Sequence, residues 1–431
     1  MEALFGVERK AHKIILVTDE FVIRCVMCLS LYCRAPIEGI VSFFDLVIGR
    51  HVSKGAIDRI RKRAAEKAAV FDASIPLYTI QDIATDEIFQ QGNPVLTGID
   101  LKTDYAFLLD GAEDRSGETW AKNLQAQKRR GLAPALNVSD GGRGLLKGVE
   151  QVFPEIAQQA DVFHMLRALG KEVHSVEMHA SSELKKYCSA EYSVFYRKRG
   201  KPCRNAGNTY WKLHREIDGI LAQADEVVIL MGWLRETVGF AGYGYEKSAA
   251  LCEWILDEMA QRFPERRKYQ EAIRSFRAHL KELLSFLQRL LVHMEQRAKE
   301  YPSITGHDFM LLYQQKYTAS QKEWEYMEKR LYRRFGRRLP EAREALEEML
   351  RTARRASSMI ENLNGRLRCF MDLKREIPEY FLILIKVFFN TKKQKRSRRE
   401  NWKGTSALDR LTGKNNPEFL DIVAAPMNYA F

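Results

Sequence analysis

From residue 18 to 69 apolar positions recur every three or four residues, the spacing of helices with one buried face. Thr18 suits the N-cap of a first helix running through Phe21, Val22, Cys25, Val26 and Leu29. Pro36 fits the first turn of a second, with Ile37, Ile40, Val41, Phe44 and Val47 on its apolar side and Gly49 at its end. After Ser53, a third helix turns Ile57, Ile60, Ala64 and Ala68 inward. From residue 78 the pattern becomes that of strands, over 78–90, 94–100 and 105–110, broken at Gly92-Asn93 and Lys102-Thr103. A helix over about 118–130, a strand over 135–139, a helix over about 145–152 and a short strand near 160–163 follow. This order predicts three antiparallel strands extended by two parallel ones through helical crossovers, a mixed five-stranded sheet. Beyond residue 170 strand signals stop, and Leu-, Glu-, Lys-, Arg- and Ala-rich helical spacing runs to about 350. Helical character is strong again over 341–389.

Charge sharpens this picture. The 431 residues carry a net charge of +13 and a pI of about 9.3, which favours a polyanionic partner. One basic cluster is Lys54, Arg59, Arg61, Lys62, Arg63 and Lys67, against Asp58 and Glu66. It lies on the outer sides of the third helix. A helix-turn-helix whose second helix enters a DNA major groove fits that pattern; a three-helix packing domain with a solvated basic face fits it too. The other cluster, Lys392, Lys393, Lys395, Arg396, Arg398, Arg399 and Lys403, opens the C-terminal tail. No apolar run reaches eighteen residues, Tyr380 to Phe389 being too short to span a bilayer. No secretory signal opens the chain. A cytoplasmic, nucleoid-associated protein is expected. Seven cysteines point to a reducing compartment, and Cys25, Cys28 and Cys33 read as buried thiols in a helical run, not as a zinc site.

Three acids stand out against the predicted elements. Asp86 lies within the first strand beside apolar neighbours, where an ionised acid is costly unless paired. Alternation puts Asp82 on the same strand face, so Asp82 is the competing candidate, while Glu87 points away. Asp140 ends the fourth strand before Gly141-Gly142, which leave little bulk where a ligand approaches. On a late helix, Ile360, Leu363, Leu367 and Phe370 form an apolar stripe, and Arg354, Ser358, Glu361, Asn364 and Arg368 form a polar face. That face presents Glu361 to a metal, with Asn364 and Arg368 beside DNA phosphates. A turn acid at Asp140 and a solvated Glu/Arg face account for the same residues. Carboxylates gathered from distant points suit hard divalent ions, and two such ions supply an activated oxygen nucleophile and charge stabilisation for phosphoryl transfer.

The element order is that of a ribonuclease-H-like fold. Asp86 on the first strand, Ser139-Asp140-Gly141-Gly142 after the fourth, Asp161-Val162-Phe163-His164 after the fifth and Ser357 to Arg368 on a late helix together resemble the DDE transposases of bacterial insertion sequences. The branch related to Mutator-like elements, with a helical insertion before the last Glu, is the nearer likeness. The resemblance implies that Asp86, Asp140 and Glu361 hold two Mg²⁺ ions, with Mn²⁺ as substitute. It also implies that Asp161 and His164, matching a (Cys or Asp)-x-x-His signature, organise the site. A partly buried, hydrogen-bonded His is the plainer account of His164.

The expected layout is a helix-turn-helix over 16–72, a ribonuclease-H-like α/β core over 73–169 and 346–390, an all-α insertion over 170–345 and a basic tail over 391–431. Lys54, Arg59, Lys62, Arg63, Lys392, Lys393, Arg396, Arg398 and Arg399 would hold double-stranded DNA, both the element's terminal repeats and the target. An oligomer, at least a dimer, is expected on DNA. Core packing is the expectation for Trp211, Trp233, Trp254 and Trp324, with a DNA channel or dimer interface as the alternative. The expected activity is hydrolysis at element ends followed by strand transfer. Its rivals are a DNA-binding regulator that kept the fold without catalysis and another ribonuclease-H-like nuclease such as a resolvase.

Overall fold

The structure, a computed structural model, describes residues 16–196, 204–352, 358–373, 376–397 and 399–424; Arg354, Ser357 and Arg398 lie outside them. The helices are α1 (Asp19–Leu31), α2 (Ile37–Phe43), α3 (Lys54–Ser74), α4 (Gly117–Arg129), α5 (Arg143–Val152), α6 (Val162–Phe195), α7 (Arg204–Gly239), α8 (Gly244–Gln261), α9 (Arg267–Ala278), α10 (Leu280–Ala298), α11 (Gly306–Lys316), α12 (Gln321–Phe335), α13 (Leu339–Thr352), α14 (Ser358–Met371), α15 (Glu379–Thr391), α16 (Ala407–Thr412) and α17 (Phe419–Ala424). The strands are β1 (Asp82–Gln90), β2 (Asn93–Asp100), β3 (Ala106–Gly111), β4 (Leu136–Ser139) and β5 (Ala157–Ala160). They follow the order β3-β2-β1-β4-β5 in a mixed sheet. The chain divides into two compact units, one of Met1–Ala135, Gly142–Ile156 and Ser358–Phe431, the other of Leu136–Gly141 and Ala157–Ser357.

In the first unit the local signals act as the sequence reads. Thr18 caps α1 by accepting from the Phe21 amide at 3.1 Å, and Ser53 caps α3 through the Ala56 amide at 3.2 Å. Helix α2 runs on into a single π turn over Phe44–Ile48, ended by Gly49 in the left-handed region (φ +72°). Ile57, Ala64 and Ala68 are buried, but so is Arg61, 1% exposed. Its Nε donates to Ser30 Oγ at 3.0 Å and its guanidinium lies over the Phe381 ring. Arg61 therefore leaves the outward basic cluster, because α3 packs on α15 as well as on α1 and α2.

Strands β1 and β2 pair antiparallel with Asp86 opposite Thr97. Their hairpin turns through Gln91 (φ +51°) and Gly92 (φ +90°), the two left-handed residues of a tight β-hairpin. Strand alternation separates two faces. Ile83 joins the core of Trp120, Leu124, Leu145 and Val149 on α4 and α5, and Glu87, on that same face, accepts from the Trp120 indole and from Arg115. Asp86 faces the other way, towards α14. Strand β3 rests on α15, where the Asn390 amide bonds both the N–H and the C=O of Ala106. A buried polar knot fastens this layer: Asp72 of α3 accepts from Arg130 at 3.0 Å, Lys386 at 2.9 Å and the Tyr105 hydroxyl at 3.3 Å.

The second unit begins with the parallel pair β4 and β5, registered from Leu136 opposite Ala157 to Ser139 opposite Ala160. Strand β5 ends before Asp161, because Asp161 is the N-cap of α6; the predicted strand near 160–163 lies three residues too far along. From there to Thr352 the described residues form helices and their connections, with no strand among them. Gln159 ties β5 to α10, donating to the Leu283 carbonyl and accepting from Ser285 and Arg289. Leu283, Phe286, Phe309 and Leu256 belong to the shared helical core. The four tryptophans do not join it. Trp211, Trp233, Trp254 and Trp324 are 39–56% exposed, with Trp233 and Trp254 stacked at 6.2 Å. Among the described residues no helix is long and apolar enough to cross a membrane.

Helices α4 and α5 approach closely because the contact positions are glycines. A Cβ on Gly148 would lie 2.4 Å from Trp120 Cβ, and one on Gly144 2.0 Å from the Arg115 carbonyl oxygen. Backbone cannot rotate aside, so Gly144→Ala pushes α5 away from the segment that leads into α4. Its expected effect is a loss of about 3 kcal/mol or more, read as a lower thermal midpoint by circular dichroism; an unchanged midpoint contradicts the close packing.

Candidate active site

Asp86 is half-buried on β1, and its carboxylate is held by two neutral donors. Oδ1 accepts from the Glu87 amide at 2.8 Å, and Oδ2 accepts from Asn364 Nδ2 at 2.6 Å. Thr97 steadies the same point of the strand, its hydroxyl donating to the Asp86 carbonyl at 2.9 Å. Asn364 belongs to α14, which packs on β1 and β2. Ile360, Leu363, Leu367 and Phe370 are all buried, so the predicted apolar stripe is what seats this helix. Glu361 stands one turn before Asn364 on the same side of α14, and is half-buried.

Asn364 was expected beside DNA phosphates. Instead it is 4% exposed and serves Asp86, a correction with a simple cause. An acid in a strand facing a packed helix needs a donor from that helix. Arg368 does remain exposed on the next turn.

In the second unit Asp140 follows β4 and is exposed. Gly141 after it adopts φ +84°, a conformation that favours glycine. A Cβ there would sit 3.7 Å from His279 Nε2. His279 Nδ1 lies 2.8 Å from the Ser275 carbonyl, which only accepts, so Nδ1 is the donor of that bond. Sequence reasoning missed His279: a single histidine between two helices of the insertion carries no motif. Asp161, 1% exposed, accepts from the amides of Phe163 at 2.7 Å and His164 at 3.2 Å. It thereby fixes the first turn of α6, on which His164 stands half-buried.

The basic residues fare unequally. Arg59 and Arg63 are exposed on α3, whereas Lys54 pairs with Glu38 and Lys62 with Asp58. Past α15, Lys393 donates to Asn415, Arg396 is exposed, and Arg399 lies over the Trp402 ring.

The resemblance noted in the sequence implies divalent ions. Among the described residues, no three His, Cys, Asp or Glu side chains are grouped as metal ligands. The first unit by itself supplies Asp86, Glu361 and the Asn364 amide. Among the described residues Asn364 Oδ1 is buried without a hydrogen-bond partner. An acceptor without a hydrogen-bond partner beside a carboxylate is of the oxygen-donor type that a hard cation takes.

Comparison with known proteins adds family information. The family model DDE_Tnp_ISL3, described as a transposase, matches residues 83–293, just under half of the chain. The transposase for insertion sequence element IS6120 of Mycolicibacterium smegmatis is 36% identical over 97 residues, 21% of this chain and 30% of that protein. The match thus spans less than a third of that relative's length.

Replacing the donor tests the Asp86 contact. Asn364→Asp puts two carboxylates in contact, which raises the pKa of the pair. A raised native pKa stabilises below the unfolded value and is lost as pH rises. The variant's thermal midpoint should therefore fall well below wild type at pH 8 and approach it at pH 4–5. A deficit independent of pH would contradict a shared Asp86–Asn364 site.

Proposed function

We propose that the chain is a DDE-type DNA transposase of an insertion sequence. The observation that carries this reading is the transposase match over 83–293, which includes the β1 acid Asp86, the Asp140-Gly141-Gly142 loop and Asp161-x-x-His164. The Asp86–Asn364 bond supports it by seating the helix of Glu361 on the strand of Asp86. Three antiparallel strands combined with a parallel pair support a ribonuclease-H-like core. Kinship with the Mutator-like branch rests on the Asp161-x-x-His164 spacing, and a helix-turn-helix role for α2 and α3 rests on exposed Arg59 and Arg63.

In this reading Asp86, Asp140 and Glu361 would hold two Mg²⁺ ions, with Mn²⁺ as substitute. When bound, the ions supply nucleophile activation and charge neutralisation. The protein's own contribution is positional. Asn364 fixes the Asp86 carboxylate with a neutral donor. Asp161 fixes the turn that bears His164. Gly141 and Gly142 leave backbone room for a phosphate, and the exposed arginines hold duplex DNA.

The reaction has two displacements at phosphorus. Water breaks a phosphodiester at the element end, leaving a 3′-hydroxyl. That hydroxyl then attacks a target phosphodiester and releases a target 3′-hydroxyl, so no protein adduct forms. The partners are terminal-repeat and target DNA, bound by an oligomer in the cytoplasm.

Supercoiled DNA carrying the cognate ends, incubated with Mg²⁺ or Mn²⁺, tests this. Wild type should nick and join. Asp86→Asn, Asp140→Asn and Glu361→Gln should each lose roughly 10²–10³-fold or more, while Asp82→Asn stays active. Binding without metal-dependent nicking would indicate a regulator; cutting without joining would indicate a different nuclease. Loss in Asp82→Asn with activity in Asp86→Asn would reassign the strand acid.

A further inference from the structure

A second feature of α14 lies away from its Asp86 side. Arg366 follows Glu361 by five residues, about 140° further around the helix, and borders a cavity of about 730 Å³. Arg34, Lys392, Lys393, Lys395 and Arg396 border the same space, and its acids are Asp104 and Glu418. Six cations against two acids leave a positive excess in one recess, all within the first unit.

Three of these cations rest against aromatic rings. The Arg34 guanidinium sits 5.3 Å from the Phe370 ring centre, and that of Arg366 4.7 Å from Phe389. Lys392 Nζ lies 5.2 Å from Phe388 and 5.4 Å from Tyr32. A ring face attracts a cation through its quadrupole yet cancels no charge and takes no strong hydrogen bond. Among the described residues, Arg366 Nε is enclosed with no hydrogen-bond partner. Its Nη2 pairs with Asp104 Oδ2 at 3.6 Å.

Titration tendencies agree. Burial lowers the Lys392 pKa, and neighbouring Arg34, Arg366 and Lys395 lower it further. Burial also lowers Arg366, against the pull of Asp104. Burial raises Asp104, opposed by Arg366, Arg410 and Arg399. Like charges crowded against aromatic walls, with a donor left unmade, describe a site that gains by admitting an anion.

We propose that this recess is a phosphate-binding pocket, in which Arg34, Arg366 and Lys392 take one phosphate group of DNA on the side of α14 away from Asp86. DNA as the source rests on the transposase reading; the affinity for phosphate follows from the pocket itself. Arginine forks and an ammonium on three separate elements, α14 and the segments after α1 and α15, suit a tetrahedral anion approached from several directions. One phosphate there would hold the DNA strand in register with the helix that bears Glu361. A backbone phosphodiester and a terminal 5′-phosphate offer the same chemistry.

The full chain is titrated by fluorescence anisotropy with two forms of one duplex, with and without 5′-phosphates, over a range of salt and with inorganic phosphate as competitor. The variants are Arg34→Ala with Lys392→Ala together, Arg366→Lys, and Arg267→Ala as an exposed cation of the second unit. The double variant should bind roughly tenfold more weakly, with the slope of log affinity against log salt reduced by about 1. Arg366→Lys, which keeps charge but loses the fork, should weaken binding less, and Arg267→Ala should match wild type. A loss confined to the phosphorylated duplex assigns a terminal phosphate; equal losses assign the backbone. Both support the pocket. Wild-type affinity and slope in the double variant, with wild type still cutting DNA, overturn the pocket alone. Wild type that binds neither duplex removes the transposase reading along with it.

Discussion

An ionised aspartate in a strand that faces a packed helix must find a donor, and in this protein the donor is Asn364. The bond to Asp86 joins residues 278 apart in sequence. Its character matters as much as its span. An arginine or lysine at position 364 would satisfy the same carboxylate and cancel its charge, leaving little to attract a cation. An amide satisfies the hydrogen bond and preserves the negative charge. It also offers an oxygen, Oδ1, with no hydrogen-bond partner among the described residues. One neutral side chain thus locks the late helix to the first strand.

That lock depends on layers which hold β1 to β3 in place. On one face of β1, Ile83 and Glu87 are engaged by α4 and α5, where glycines at 144 and 148 let the helices touch. Helix α15 packs on β3 and on α3, and Asp72, Arg130 and Lys386 gather in its interior. Buried ions of this kind add little net stability over apolar packing, but an unpaired one is costly. They therefore specify which helix meets which strand. The chain leaves the first unit after Ile156 and re-enters it at Ser358, and the apolar stripe from Ile360 to Phe370 is what the returning segment brings to the sheet.

How much of this was legible in the sequence depends on the range of the signal. Caps at Thr18 and Ser53 and the strand alternation around Asp86 and Glu87 are local, and the structure places them where the sequence reads them. The predicted strand near 160–163 failed because a capping acid outcompeted strand propensity: Asp161 satisfies two amides of a new helix, which ends β5 at Ala160. Arg61 was counted with the basic face because a helical wheel cannot know that α15 will cover it. Asn364 was placed on a polar face correctly and given the wrong neighbour, since a polar face can look inward when an acid waits there. The insertion tryptophans failed in the opposite direction; large aromatic rings suggest core, yet these lie on helix surfaces. His279 had no sequence signal, since its relation to Gly141 exists only after α9 and α10 fold.

The same reasoning changes what a net charge of +13 means. Arg61 and Lys386 are internal and serve packing. Lys54 and Lys62 are engaged by acids at 2.8 and 2.9 Å, and Arg115 by Glu87. What distinguishes the recess beside α14 is that three of its six cations rest on rings, which orient them and cancel no charge. Basic composition favours a polyanion only in aggregate. The positions that can act on it are those where the fold organises positive charge against rings and not against acids, and among the described residues Arg34 and Lys392 are such positions.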